Sequence, residues 1–472
     1  MNSDSSHQYL GEVVIATRVT TSGPSPRRAR NITLLLAVSV WIVATGFGII
    51  MPIFARRLSE FGSGVEALAL LTMSFALAAF IAAPLMGSLA DRIGRRPLIL
   101  VALASYIAVN IGFLFARSTE VFIAVRVVEG ALTAGFMPAA IGMVADIFPE
   151  RRRAQWVAIL MASMGAGIIF GPVLGGVLYD GWGFKAPFIV SAVMASISLV
   201  AATVLVPETR TREVRRRDEL LRQRSTAKSP EQQKGSFWAL LWASLPRPLY
   251  LFATLLLLDF ILIFGFTYIE PQMLFYFYDD LGWTTIQFGG VVAAFGLALV
   301  FGQIVLARWS DKFGRKPVIV VGALLFTSLP LALAYVTSFL PMILFALLAG
   351  LGVALITPAL SAFYLDITTD QHRARIIGIK SSAASLGGVA GPLMLVGVSA
   401  FATPRGVFLS AAGLLVFSAV LALVGLTGRR GVAAEASDLG WQSSSNRAMA
   451  AQATLRGIVV RTRDARGSRP VT

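Results

Sequence analysis

No cysteine occurs in the 472 residues, which excludes a disulfide framework and any thiolate metal site. Histidine is almost as scarce. His7 and His372 are the only two, too few for a histidine-based metal centre, and no metal or cofactor is expected. Charge is thin as well: Asp, Glu, Lys and Arg make up 14% of the chain, against about a quarter in an ordinary soluble domain. No Gly-xxxx-Gly-Lys-Ser/Thr segment is present, so direct drive by ATP is not expected. No Ser-His-Asp set or ligand cluster points to an enzyme. Residues 1–30 are polar, and the apolar patch from Val13 to Ala16 is too short for the core of a cleavable signal peptide, so the first apolar span is expected to direct insertion.

What fills the chain instead is apolar: 56% hydrophobic residues, with a mean hydropathy of +0.74. Runs of roughly 20 apolar residues recur, each long enough to cross a ~30 Å hydrocarbon layer. They fall near 32–53, 67–90, 97–116, 121–146, 155–178 and 186–206, then near 249–276, 287–308, 317–337, 341–366, 375–400 and 406–426. The expected fold is an all-α integral membrane protein of twelve transmembrane helices in two pseudo-symmetric six-helix bundles. Residues 31–206 and 248–426 would form the bundles. A tail at 1–30, a polar loop at 207–247 and a basic tail at 427–472, expected to be disordered, lie outside them.

The formal charge of +16 invites a nucleic-acid reading, but its distribution argues against one. Arg27, Arg28 and Arg30 precede the first span, Arg151 to Arg153 lie between the fourth and fifth, a basic stretch from Arg210 to Lys234 joins the halves, and arginines recur after Gly428. The alternate loops hold only Arg56, Arg57, Arg117, Lys185 and Arg405. That bias follows the positive-inside rule and places both termini in the cytoplasm.

The halves repeat each other. Gly87-Ser-Leu-Ala-Asp91-Arg-Ile-Gly94-Arg95-Arg96 returns as Ala307-Arg-Trp-Ser-Asp311-Lys-Phe-Gly314-Arg315-Lys316, displaced by 220 residues. At the same displacement Pro138 meets Pro358, Asp146 meets Asp366, Arg153-Ala154 meets Arg373-Ala374, and Gly171-Pro172 meets Gly391-Pro392. Two related bundles imply a pseudo-two-fold axis, an arrangement common among transporters.

The Gly87–Arg96 segment resembles the loop motif of the major facilitator superfamily, which carries Gly, Asp, Arg/Lys, Gly and two basic residues at these spacings. Gly87, Asp91, Arg92, Gly94, Arg95 and Arg96, with Asp311, Gly314, Arg315 and Lys316 in the second copy, are then expected to latch the cytoplasmic side. The plainer reading is a basic turn that only sets topology. Gly165-Ala-Gly167-Ile-Ile-Phe-Gly171-Pro172-Val-Leu-Gly175-Gly176 resembles the fifth-span motif of that family's drug/proton antiporters. Glycines at this spacing open a groove for another helix, and Pro172 bends the helix that carries them. The second half keeps Gly391-Pro392 but has Leu395 and Val396 in place of the glycine pair. Phe47-Gly48-Ile-Ile-Met51-Pro52 partly resembles the first-span motif of the same twelve-span subgroup.

Ionisable residues inside spans are costly and mark candidate sites. Arg126-Val-Val-Glu129-Gly130 resembles the family's fourth-span Arg-xxx-Gly motif. Arg126 and Glu129 lie three residues apart on one helical face, so Glu129 either adds a protonation site or neutralises Arg126. In the seventh span, Asp259 and Glu270 share one side about 16 Å apart along the axis. Glu270-Pro271 is expected where the span unwinds towards the outer face, and Glu270 either carries protons or sits at the outer interface. Phe264, Phe266, Tyr268, Phe275, Tyr276 and Phe277 are expected to surround these acids and, with Phe47, to suit an aromatic or cationic ligand.

The resemblance therefore implies a transporter of the twelve-span drug/proton antiporter subgroup, with Arg126, Glu129, Asp259 and Glu270 as proton-coupling candidates. Its partners would be a small-molecule substrate, protons and the lipid bilayer, with no nucleic acid. The chain would act as a monomer in the bacterial plasma (inner) membrane. The alternative is a proton-coupled uptake symporter for a sugar or organic acid.

Overall fold

The computed structural model describes residues 26–209, 245–306, 309–368 and 373–426. Both tails, most of the central loop, His7 and His372 lie outside the described residues, as do the side chains of Asp91 and Asp311. Among the described residues, twelve helices are long and apolar enough to cross a membrane. The first six are Arg27–Glu60, Val65–Ala90, Arg95–Phe115, Thr119–Ile147, Gln155–Trp182 and Lys185–Leu205. The second six are Leu249–Asp280, Thr285–Leu306, Arg315–Tyr335, Phe339–Asp366, Arg375–Val398 and Pro404–Gly425. Each matches one of the apolar runs, because in lipid only a helix pairs every backbone polar group within a single segment.

The outer faces of these helices carry large apolar side chains that would be untenable in water. Leu85, Val204, Ile304, Leu340 and Val424 are all more than 60% exposed. Hydrocarbon solvates such a surface, and the chain is a multi-pass membrane protein.

Prolines and glycines shape the helices. Pro52, Pro84, Pro172, Pro271, Pro358 and Pro392 sit inside continuous helices. The fourth span is two helices, Thr119–Thr133 and Phe136–Ile147, broken just before Pro138. The seventh span differs from the sequence expectation. It stays helical through Glu270-Pro271 as far as Phe275 and only then widens into a π turn over Tyr276–Asp280. Proline removes one backbone donor but here does not unwind the helix. At the ends of the second and eighth spans, Gly94 at φ 112° and Gly314 at φ 94° make the turn into the next helix, a conformation that disfavours any side chain.

The described residues divide into two compact units. One holds the chain through Arg57 and from Leu77 through the sixth span; the other holds Leu58–Ala76 and the spans from the seventh onward. In the first, spans three, four and six pack together over a core that includes Leu98, Leu103, Ala140, Met143 and Ala202. In the second, spans nine, ten and twelve repeat that arrangement, and the seventh span packs against the eleventh and twelfth.

Candidate functional site

The loop motif builds the same ion pair twice. Arg95 Nε donates to Asp146 Oδ2 at 2.6 Å, with Nη2 3.4 Å from Oδ1. At the shared displacement Arg315 Nε donates to Asp366 Oδ2 at 3.1 Å. The first copy is more elaborate. Thr209 Oγ1 donates to Asp146 at 2.9 Å, and the guanidinium of Arg95 fills the space over Gly142 where any side chain would stand. Glu208 accepts from the backbone N–H groups of both Arg95 and Arg96 at 3.1 Å each, so a carboxylate from the end of the sixth span caps the start of the third. The free donors and positive dipole end at a helix N-terminus favour this placement. Arg96 reaches the carbonyl of Thr203 at 2.5 Å. In the second copy Arg315 also donates to Ser310 at 2.9 Å. The sequence reading passed over Glu208. Its signal is an acid in Pro207-Glu208-Thr209 directly after an apolar span.

The fifth-span glycines form a ladder against the first span. A Cβ on Gly167 would lie 2.6 Å from the Ala44 side chain and 2.7 Å from the backbone of Trp41 and Thr45. One on Gly171 would meet Thr45 O and Gly48 Cα at 2.6 Å, and one on Gly175 would drive into the carbonyl of Ile49. Pro172 and Gly176 are buried beside them. Gly165 and Gly181, just outside the ladder, face open space. In the second unit Gly387 and Gly391 approach the backbone of the seventh span at Phe260, Phe264 and Tyr268, while Leu395 ends the glycine run as a fully buried side chain.

Inside the first unit, Arg126 and Glu129 form a closed ion pair at 2.6 Å, with side chains 5% and 3% exposed. The guanidinium lies 4.9 Å from the ring centre of Phe47 and 5.0 Å from that of Phe54. Phe47 is thus a cation–π partner of Arg126 rather than an isolated wall residue. Beneath Phe54 lies a tight cluster with Phe113, Phe122 and Phe188. Tyr106 and Asn110 of the third span are buried, and the Tyr106 hydroxyl and Asn110 Oδ1 have no hydrogen-bond partner.

In the second unit the aromatic side chains of the seventh span and the turn after it go to several different ring partners. Phe260, Phe264 and Tyr268 stack along one stripe of the seventh span at 5.6 and 5.7 Å, and Tyr268 meets Ser410 of the twelfth at 3.2 Å. Phe266 stacks on Phe295, Tyr276 packs edge-on against Phe408, and Phe277 packs on Trp283 and Phe288. One-hundred-degree steps around a helix send neighbouring aromatics to different partners. Glu270 and Asp259 are both buried, 6% and 8% exposed. Asp259 has a partner that the sequence reading missed: Lys380 Nζ of the eleventh span, 3.6 Å from Oδ1. A single lysine within an apolar run was the available signal. Tyr364 of the tenth span is buried against the same group, with the Lys380 ammonium 5.8 Å from its ring centre. Among the described residues no cluster of three or more potential metal ligands occurs.

The family model described as the Major Facilitator Superfamily matches the chain over residues 36–277 and again over 255–460. Multidrug resistance protein 2 of Bacillus subtilis is 24% identical over 366 residues, covering 77% of this chain and 88% of its own. Tetracycline resistance protein, class C, of Escherichia coli is 27% identical over 381 residues, 79% of this chain and 91% of its own. Multidrug resistance protein MdtG of Klebsiella pneumoniae is 27% identical over 406 residues, 84% and 93%. Among solved structures, a bacterial homolog to the human lysosomal transporter Spinster superposes with a TM-score of 0.67 at 17% identity, covering 85% of this chain and 98% of that one.

Proposed function

This chain belongs to the Major Facilitator Superfamily, and from that premise we propose that it expels amphipathic, drug-like small molecules in exchange for protons, by alternating access in the plasma membrane with both termini in the cytoplasm. It is a membrane transporter of small molecules, not an enzyme. The observation that carries the direction of transport is the glycine ladder of Gly167, Gly171 and Gly175 seated on first-span backbone, the motif that resembles the antiporter signature. The multidrug and tetracycline resistance relatives support the same reading of the cargo.

Proton exchange needs a carboxylate whose protonation and substrate binding exclude each other. Glu270 takes that role in this reading: it is buried in the seventh span beside Pro271, where several of the family's drug exporters carry an acid. Glu129 is already closed on Arg126 at 2.6 Å, and Asp259 faces the cation of Lys380. The latch residues, led by Arg95 and Arg315 with their aspartates, would hold the cytoplasmic ends between cycles.

The test is efflux of dyes and antibiotics from cells that lack their own pumps, with and without a protonophore. Protonophore-sensitive expulsion is expected, whereas accumulation of a sugar or organic acid would reverse the assigned direction. Glu270→Gln should abolish uphill efflux and leave downhill exchange largely intact. Uphill pumping by that variant at the unmutated rate would move the proton site to Arg126 and Glu129.

A further inference from the structure

The second unit holds a charged constellation that the latch, the glycine ladder and the proton site do not use. Asp259, Lys380 and Tyr364 come from the seventh, eleventh and tenth spans and meet inside a single compact unit. Their arrangement differs from the other membrane-buried pair. Arg126 and Glu129 sit on one helix, in hydrogen-bond contact at 2.6 Å and almost wholly enclosed. Lys380 and Asp259 bridge two helices at 3.6 Å, beyond hydrogen-bond range, and the lysine side chain is 23% exposed. Asp259 Oδ2 and the Tyr364 hydroxyl are both buried and interact directly, but neither completes a hydrogen bond of good geometry. Leaving a buried carboxylate with only loose partners in a low-dielectric interior is costly, and a ligand cation that paired with it closely would recover part of that loss.

We infer that Asp259, with the ring and hydroxyl of Tyr364, forms a subsite for an organic cation, and that Lys380 occupies it as a tethered substitute when no substrate is bound. Each part of the geometry serves exchange. The anion supplies the attraction. The Tyr364 ring already has the Lys380 ammonium 5.8 Å from its centre, an aromatic contact that a ligand cation taking the lysine's place would inherit. The lysine is a point charge on a flexible four-carbon stem, held by a 3.6 Å ion pair and a 5.8 Å contact with the Tyr364 ring, so a ligand can displace it without breaking a short hydrogen bond. While it is in place, Lys380 keeps the buried carboxylate from standing alone; once displaced, its partly exposed side chain swings away from Asp259. A permanently charged lipophilic cation fits this subsite. A neutral or anionic ligand gains nothing from Asp259 and leaves the internal pair closed. This rests on the transport reading above and adds the charge class of the cargo and the residues that select it.

The experiment is equilibrium binding of labelled tetraphenylphosphonium to the purified full-length protein in lipid nanodiscs, beside cellular efflux of the same cation. Lys380→Met should tighten binding roughly ten-fold by removing the competitor, and Asp259→Asn should weaken it by at least that factor. Lys380→Arg should weaken binding, because a guanidinium holds the carboxylate bidentately and is harder to displace. Lys380→Met could instead destabilise the fold by stranding Asp259. The double variant Asp259→Asn/Lys380→Met, which buries no charge, should then remain folded by size-exclusion and thermal melting yet bind weakly. Weakened binding in a folded Lys380→Met, or unchanged binding in Asp259→Asn or in the folded double variant, would show the pair to be only structural. Absence of tetraphenylphosphonium binding by the unmutated protein would overturn the subsite as well. Uptake of a metabolite in the cellular assay, with the predicted binding pattern intact, would defeat the export reading and leave the subsite standing.

Discussion

Among single residues, Arg126 and Glu129 pose the sharpest energetic problem. Both side chains are withdrawn from solvent, and their pair is short. Removing one partner from such a pair leaves an uncompensated buried charge, a loss of about 3–5 kcal/mol, whereas replacing both with apolar side chains costs far less. Glu129→Gln should therefore lower the thermal transition of the purified protein by several degrees, and Arg126→Met/Glu129→Leu should recover much of that loss. A single variant as stable as the unmutated protein would mean that the pair adds no net stability. Glu208 is a gentler case. Its carboxylate satisfies two backbone donors at a helix start, and truncating a capping side chain typically costs about 1 kcal/mol. Glu208→Ala should loosen the third span's first turn, seen as faster amide exchange at Arg95 and Arg96, while exchange deeper in the span stays unchanged.

At the level of helices, the deciding feature is how closely the first and fifth spans approach. Their backbones meet at Gly167, Gly171 and Gly175, where even a methyl group would stand within 3 Å of main-chain atoms that cannot rotate away. Small residues drive helix association in lipid because there is no hydrophobic gain from pairing and close contact must supply the attraction. Gly171→Leu or Gly175→Leu should reduce transport roughly ten-fold or more at matched protein levels, by forcing the two helices apart. Gly181→Leu, on the same helix but facing open space, should leave transport near the unmutated rate. Equal tolerance at all three positions would remove the ladder from the mechanism.

For the molecule as a whole, the two halves share a plan but differ in how strongly they are fastened. The Arg–Asp pair spans 51 residues in each half, so the duplicated motif serves the same contact twice. In the first half Arg95 is 13% exposed, and Asp146 also accepts from Thr209. In the second, Asp366 is 48% exposed, and an ion pair that open to solvent contributes about 1 kcal/mol or less. Asp146→Asn should consequently impair transport and stability more than Asp366→Asn, measured side by side as efflux rate and melting temperature. The reverse order would mean that the second pair matters more to transport than the first.

Much of this architecture is a property of the chain read locally. A helix that crosses a bilayer is specified by one uninterrupted apolar run, so the spans are visible one at a time. The ladder is equally local, because residues four apart fall on one face and Gly167, Gly171 and Gly175 declare a groove before any partner is known. The repeat of Arg95 and Asp146 as Arg315 and Asp366 needed only counting. Partners are another matter. That Lys380 faces Asp259, 121 residues earlier in the chain, that Glu208 caps the start of the third span, and that Phe47 lies beside Arg126 depend on how helices rotate and cross. The course of the seventh span past Pro271 was also misread, since a proline marks where a helix is weakened and only its surroundings decide whether it opens. Hydrophobicity and helical period act between near neighbours in sequence and survive in the one-dimensional pattern. Pairing of buried charges acts through space, and only the packed structure selects which distant residue answers which.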